Sequence, residues 1–409
     1  MKEKINVAVI GLGGRGRGMA GVIRKMDDVN LVGLCDLYED RVQEAVEQTV
    51  KDGRPEPFAT TDYKKIFEIE NLDSVYIATD WSTHIKIAID AMNCGIPAAI
   101  EVGGAYTVDE CWELVDTYEK TGTWAMMMEN CCYGERELML HNMVRKGMLG
   151  KIVYCSGKYA HDLRDEIGYG NIKRHYRLNN YINRNCENYP THELGPIAKI
   201  LDINRGNRFT TLISVCSGSY GLHEYVSKNK DLKKSLSNVD FKQADIVKTF
   251  IKTERGEMIE LTLDTTLPRY YSRGFTIRGT KGLYQEDGDT LYFDKKSFKK
   301  NEWEQKNFWG RGKRYAKKYN HPLWQAVTKE TLEMGHGGID WFVLRAWVES
   351  VKEGKLPPID VYDAAAWMSI TALSDKSLAE GSSTVEIPDF TRGKYKNRDA
   401  MPEGDYYIE

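Results

Sequence analysis

An α/β domain with a parallel sheet, followed by an α+β domain with an open, mostly antiparallel sheet, is the fold class that the 409-residue sequence predicts. Three observations carry it. Strand-like and helix-like runs alternate over the first 130 residues. The first strand-like run, 5–10, ends in a glycine cluster. After residue 150 the strand-like runs follow one another directly. Alternation implies parallel strands joined by helices on both sheet faces, and succession implies hairpins. The boundary is placed at 130/131, giving domains 1–130 and 131–409.

The glycine cluster is read first. Gly11, Gly13 and Gly16 fit G-x-G-x-x-G, with Gly14 and Arg15 inside the loop. The first glycine permits a tight turn, the second lets backbone approach a pyrophosphate, and the third lets the helix pack close to the strand. The helix start then offers free N–H groups and a positive dipole end to phosphate. A second strand, 30–36, ends in Asp36, 20 residues beyond Gly16, where a carboxylate meets a ribose 2′-hydroxyl. Such an acid repels a 2′-phosphate, so a Rossmann domain binding NAD rather than NADP is expected.

Further strands are predicted at 73–78, 97–101 and 124–128, and helices at 15–26, 39–51, 82–94 and 107–121. Thr107-Val108-Asp109-Glu110 reads as a capping box with a structural role. The strand ends lead into Thr79-Asp80-Trp81-Ser82-Thr83-His84, Glu101-Val102-Gly103-Gly104 and Glu129-Asn130. Ligands in such sheets bind at the carboxyl edge, so three polar strand ends on one edge indicate a site. A helix at 134–146 links the halves. Beyond it come a strand at 152–159, a polar loop at 162–188 and a helix at 191–203. Strands without intervening helices follow at 209–219, 245–253, 257–264, 271–278 and 290–293. The stretch 296–320 is basic and aromatic, including Trp309, Arg311, Arg314, Lys317 and Lys318, with Lys295 just before it. It reads as a solvated loop or oligomer contact. Helices at 339–352 and 361–379 close the fold, and the tail from Pro388 is expected on the surface.

Composition excludes several classes. Hydrophobic content of 41% and charged content of 29% are ordinary for a globular chain, and a net charge of −3 gives no reason to expect a nucleic-acid partner. No apolar run approaches the ~20 residues that span a bilayer, so no membrane partner is expected. The first strand begins at residue 5, which leaves no room for a signal peptide. The eight cysteines include no C-x-x-C pair, and they read as free, mostly buried thiols of a cytoplasmic protein. Cys131-Cys132 is read as packing. No metal is expected, because the histidines lack a ligand motif such as H-E-x-x-H.

A nucleotide-binding half followed by an open-sheet half resembles the Gfo/Idh/MocA oxidoreductases. Those enzymes carry Glu-Lys-Pro after the fifth strand, whereas this sequence has Glu101-Val102-Gly103. The chain more closely resembles glycoside hydrolase family 109, the NAD-dependent α-N-acetylgalactosaminidases, in which Glu-Val replaces the lysine motif. The likeness rests on Thr107–Asp116, Met127–Tyr133, Tyr159–Arg164, Tyr176-Arg177-Leu178, Tyr189–Pro196, Tyr271-Ser272-Arg273 and Gly335–Asp340. It implies NAD contacts at Arg15, Asp36, Trp81 to His84, Glu101, Val102 and Asn130. It implies sugar contacts at Tyr159, Arg177, Tyr189, Thr191, His192 and Tyr271. Glu193 stands where relatives have glycine, and Tyr176 where they have tryptophan.

NAD in a hydrolase needs a chemical reason. Oxidising a sugar at C3 makes the C2 hydrogen acidic, so the C1 substituent can leave by elimination; hydration and reduction then restore the sugar. The paired carboxylates of ordinary glycosidases become unnecessary. Proton carriers are still required. Tyr159 and His161 are alternate residues of one strand, and Tyr189 and His192 are three apart around a helix start. One Tyr/His pair is assigned to the C3 hydroxyl and the other to C2 and the leaving group. His336, in a glycine-rich turn, reads equally as a substrate or a backbone contact. The competing reading is a net dehydrogenase giving a 3-keto sugar. An open sheet with exposed strands also implies a homo-oligomer.

Overall fold

The computed structural model describes residues 2–294, 304–398 and 404–408. Lys295, Lys296, Lys299, Lys300 and Trp303 of the basic stretch lie outside the described residues. The chain forms two compact units. The first is Met1–Gly134 with Pro322–Ala365 and Ala400–Glu409; the second is Glu135–His321 with Ala366–Asp399. Residues 322–365, which a linear division at 130/131 assigns to the second half, thus belong to the first unit.

The first unit holds a six-stranded parallel sheet. Its strands are β1 (Ile5–Ile10), β2 (Val29–Cys35), β3 (Phe58–Thr60), β4 (Ser74–Ile77), β5 (Ala98–Ile100) and β6 (Ala125–Met127). They lie in the order β3-β2-β1-β4-β5-β6, the doubly wound arrangement. β1 and β4–β6 are apolar runs buried on both faces, as central parallel strands must be. Ile10 pairs with both Cys35 and Ile77, and Ile77 with Ile100, which pairs with Met127. This register aligns Gly11, Asp36, Glu101 and the approach to Asn130 along one carboxyl edge. The helix Ile339–Glu353 packs against β1 through a face that buries Phe342, Val343 and Trp347. Each such side chain is worth about 1.5–3 kcal/mol of burial. The Trp347 indole also donates to Ser74 Oγ at 2.9 Å.

The second unit holds an eight-stranded mixed sheet in the order β13-β12-β11-β7-β10-β9-β8-β14. Its strands are β7 (Ile152–Ala160), β8 (Phe209–Cys216), β9 (Ile246–Thr253), β10 (Met258–Asp264), β11 (Thr276–Gly279), β12 (Gly282–Gln285), β13 (Thr290–Phe293) and β14 (Val385–Glu386). Only β7 and β10 pair in parallel, with Tyr159 opposite Leu263; the other pairs are antiparallel. Along β7, Cys155, Gly157 and Tyr159 are buried, and the helix Thr191–Ile200 covers that face.

Four details depart from the sequence reading. Helices Gly221–Lys228 and Lys230–Leu236 separate β8 from β9, because Leu222, Val226, Leu232 and Leu236 supply a buried stripe within a lysine-rich stretch. The polar loop at 162–188 contains the short helices Arg164–Gly168, Gly170–Lys173 and Arg177–Asn183. Strand β11 begins at Thr276, five residues later than 271. The tail is anchored: Ile387 N donates to Thr210 O at 2.8 Å, Phe390 and Tyr395 are buried, and Tyr395 Oη reaches Glu254 at 2.7 Å.

Candidate active site

The carboxyl edge of the first unit meets the physical demands of a dinucleotide. Gly11 turns the chain at φ +95°, and a Cβ there would lie 2.5 Å from the Ala78 carbonyl. A Cβ on Gly16 would lie 1.8 Å from the Gly11 oxygen, so strand and helix approach as the motif requires. Gly14 is exposed and a Cβ built on it would meet nothing within 4 Å, which leaves the start of the helix Gly14–Ile23 open to a phosphate. Asp36 is buried, accepting from Leu12 N at 2.6 Å and Tyr38 N at 2.9 Å. The carboxylate therefore holds the glycine loop from the end of the second strand.

Further along the edge lies a buried charge network. Arg15 Nε donates to Glu101 Oε1 at 2.7 Å, and its two Nη atoms grip Asp340 at 2.9 and 3.0 Å. The Tyr76 hydroxyl donates to the same Glu101 oxygen. Asp340 also accepts from Asn130 Nδ2 and pairs with His336 Nδ1, both at 2.7 Å. Burial would raise the Asp340 carboxyl, yet the His336 and Arg15 contacts hold it well below the usual carboxylate range. Val102 follows Glu101 and is buried.

Trp81 is buried, and a Cβ on Gly103 would meet its indole at 2.3 Å, so Gly103 makes room for it. His84 lies beside it, fully buried. Burial pushes its pKa down to about 4, which keeps the imidazole neutral. Neither His84 ring nitrogen, nor Thr79 Oγ1, nor Asn130 Oδ1 has a hydrogen-bond partner among the described residues. Buried polar atoms without partners are costly, and a ligand at this edge would satisfy them. The open glycine backbone, the ribose carboxylate and these atoms together fit NAD.

The second unit gathers the four side chains expected to move protons. Strand β7 presents Tyr159, with His161 just beyond its end; the helix Thr191–Ile200 and its approach present His192 and Tyr189. The Tyr159 and Tyr189 rings lie 4.3 Å apart, and Tyr189 Oη lies 3.4 Å from His192 Nε2. Tyr159 is 6.3 Å from His161 and 5.8 Å from His192 between ring centroids, and His161 is 5.4 Å from Tyr271. The Arg177 guanidinium sits 5.1 Å from the Tyr189 ring and 5.9 Å from the Tyr159 ring, with its Nε 2.7 Å from Glu166 Oε1. Burial raises the Tyr159 hydroxyl against the opposing pull of Arg177, and burial lowers His161. Both shifts favour the neutral forms, a phenol that can donate and an imidazole that can accept. Thr191 Oγ1 is buried without a hydrogen-bond partner among the described residues, and Tyr271 is half exposed.

Two carboxylates join this cluster. A Cβ on Gly157 would lie 2.5 Å from the Glu193 Cβ, so the missing side chain in β7 admits the glutamate that departs from the family pattern. Glu187, two residues before Tyr189, is buried, its backbone fixed by Ser374 Oγ and Thr371 Oγ1 at 2.8 Å each. Burial pushes its carboxyl up to about 8, against a weaker pull from the Tyr189 and Leu263 amides. Neither oxygen has a full hydrogen bond among the described residues. Sequence reasoning missed Tyr76, Glu166, Glu187 and the acidic role of Asp340. Only Asp340 left a signal, as the last residue of Gly335-His336-Gly337-Gly338-Ile339-Asp340.

Fold and glycine-edge geometry define an NAD-binding Rossmann enzyme with a second, open-sheet unit. The family models agree: residues 5–129 match "Oxidoreductase family, NAD-binding Rossmann fold", and residues 133–397 match "Glycosyl hydrolase 109, C-terminal domain". The chain belongs to glycosyl hydrolase family 109 and is an NAD-dependent glycosidase. It is 37% identical to a glycosyl hydrolase family 109 protein of Stenotrophomonas maltophilia, over 97% of this chain and 91% of that one. It is 35% identical to an alpha-N-acetylgalactosaminidase of Tannerella forsythia, over 95% and 86%. Among solved structures it is similar to levoglucosan dehydrogenase in complex with NADH and levoglucosan, with TM-score 0.69, 17% identity, and coverage of 94% and 100%. Myo-inositol dehydrogenase of Lactobacillus casei gives TM-score 0.63, 13% identity and 99% coverage of both chains. No helix among the described residues is long and apolar enough to cross a membrane.

Proposed function

We propose that this enzyme hydrolyses an α-linked N-acetylhexosaminide by a redox-neutral route, with Tyr159, His161, Tyr189 and His192 as the catalytic proton carriers. The observation that carries the reading is their convergence beside Arg177: two tyrosine rings 4.3 Å apart and a tyrosine hydroxyl 3.4 Å from an imidazole nitrogen. Bound NAD supplies a hydride acceptor and donor, which makes C3 oxidation and its reversal available. Tyr189 and His192 form one proton-transfer pair, and Tyr159 with His161 the other. Each pair combines a donor hydroxyl with an acceptor nitrogen, as transfer at a sugar hydroxyl and at C2 requires. Arg177, Thr191 and Tyr271 orient the sugar. At the edge of the first unit, Gly11, Gly13, Gly14, Arg15, Gly16, Asp36, Trp81, His84, Glu101, Val102 and Asn130 bind or support the cofactor. The sugar assignment follows the relatives named alpha-N-acetylgalactosaminidase. Eight cysteines that form no disulfide suit a cytoplasmic enzyme. Exposed Val153, Val215 and Met258 on the open sheet suit a homo-oligomer.

The test uses aryl α-N-acetylgalactosaminide with the purified enzyme and NAD. Aglycone should appear without net absorbance of reduced cofactor. Reduced cofactor accumulating without aglycone would replace this reading with that of a dehydrogenase yielding a 3-keto sugar.

A further inference from the structure

Tyr270 carries an aromatic ring that the fold holds out to solvent at the rim of the Tyr/His cluster. The residue is 75% exposed, so its ring forgoes the burial that ordinarily stabilises an aromatic side chain. The ring is nonetheless fixed in place. The Arg269 guanidinium lies 5.6 Å from its centroid, and Arg269 Nε donates to the Tyr270 carbonyl oxygen at 2.9 Å. Arg269 in turn pairs with the Asp264 carboxylate, and these two side chains are only 16% and 15% exposed. A largely desolvated ion pair thus backs an exposed ring, at the desolvation cost that such pairs carry.

The same groups tie the ring to the cluster. Asp264 ends β10 opposite Ala160 at the end of β7, and its carbonyl oxygen accepts from His161 N at 3.0 Å. On the far side of Tyr270, Ser272 N donates to Ala160 O at 3.0 Å. Tyr271, between them, has its ring 5.4 Å from that of His161. Tyr270 therefore stands one residue beyond a ring that already meets the cluster, on a loop whose two ends are bonded to Ala160 and His161. A glycoside whose sugar is held by that cluster must extend its C1 substituent out of it. The C–H groups on the face of a pyranose carry partial positive charge, which meets the negative face of an aromatic ring. A second sugar matches such a platform in size, whereas a methyl group is too small to cover it.

We propose that Tyr270 forms an aglycone subsite, binding a second pyranose ring attached at C1 of the sugar that is cleaved. The proposal rests on the hydrolase reading above and names the group on its leaving side. The test compares kcat/KM for an α-N-acetylgalactosaminyl-galactose disaccharide and for methyl α-N-acetylgalactosaminide, using the full chain with NAD. Tyr270→Ala should lower kcat/KM for the disaccharide by about 10-fold, the scale of a lost aromatic contact, and leave the methyl glycoside within about 2-fold. Tyr270→Phe, which keeps the ring, should retain the wild-type preference between the two. Equal effects of Tyr270→Ala on both substrates would overturn the proposal. So would a change in sedimentation that places the ring in a contact between copies of the chain. A wild-type enzyme that cleaves neither substrate would overturn the sugar assignment, and this proposal with it.

Discussion

The two polar clusters of this chain, one in each unit, handle charge in opposite ways. At the Rossmann edge the charges are paired: Arg15 is shared between Glu101 and Asp340, and Asp340 is further held by Asn130 and His336. Its carboxyl is held low and stays ionised. In the open-sheet unit burial works without full pairing, raising Tyr159 and Glu187 and lowering His161 toward neutral forms. A network of locked charges offers a rigid surface for a charged ligand. A cluster of neutral acids and bases offers protons that can move. On the assignment proposed above, the difference separates binding from proton transfer.

The largest test of that contrast is Glu187. Its folded-state pKa lies above the unfolded value, so between about pH 4.5 and about pH 8 the native state keeps a proton that the unfolded chain has lost. That contribution to stability is whole at low pH and fades as pH rises through this window. Glu187→Gln mimics the protonated acid and should remove the dependence. Denaturant unfolding at pH 5 and pH 9 should show the wild type losing about 4 kcal/mol more than the variant across that range. Equal pH dependence in the two proteins would mean that Glu187 is ionised and paired in the native state, and the contrast between the clusters would weaken.

The next effect is catalytic. Tyr189→Phe removes one hydroxyl and His192→Ala one imidazole from the 3.4 Å pair. Each should lower kcat by ~10²-fold or more, the usual scale of a lost proton-transfer group. NAD affinity should hold, because neither residue belongs to the Rossmann edge. Near-normal turnover in both would move the chemistry out of this cluster.

What was legible in the sequence divides along the same line of reach. Strand β1, Gly11, Gly16 and Asp36 are read within 36 residues, because a strand, a turn and a helix start are local devices. Tyr159 with His161 and Tyr189 with His192 are legible as spacings too, and the family likeness supplied their meaning. The Arg15–Asp340 pair spans 325 residues, and no local pattern announces it. Glu187 looks in the sequence like an ordinary polar residue; only the surrounding strand and helix make it a buried acid. The helices between β8 and β9 escaped because lysines mask a stripe of Leu222, Val226, Leu232 and Leu236. The tail was misplaced for a related reason: Phe390 and Tyr395 anchor a segment that is polar on average.

The smallest expected effect is a single mass unit, and it tests the mechanism most directly. Direct displacement at C1 never breaks the C2–H bond, and dehydrogenation at C3 need not break it either. Elimination must, and the proton then resides on a tyrosine hydroxyl or imidazole nitrogen that exchanges with water. Tyr159 and Tyr189, half of that proton inventory, are each 7% exposed, a degree of burial that still admits exchange during turnover. Hydrolysis in D₂O should therefore place deuterium at C2 of the released sugar. The hydrogen at C3 should remain protium, since hydride transfer keeps it from exchanging with solvent. Mass spectrometry gives the added unit, and proton NMR assigns its position. A hydrolysed product with protium at C2 would exclude elimination. The Tyr/His cluster would then need a role in direct displacement, and the locked network at the Rossmann edge would hold a cofactor that takes no part in bond cleavage.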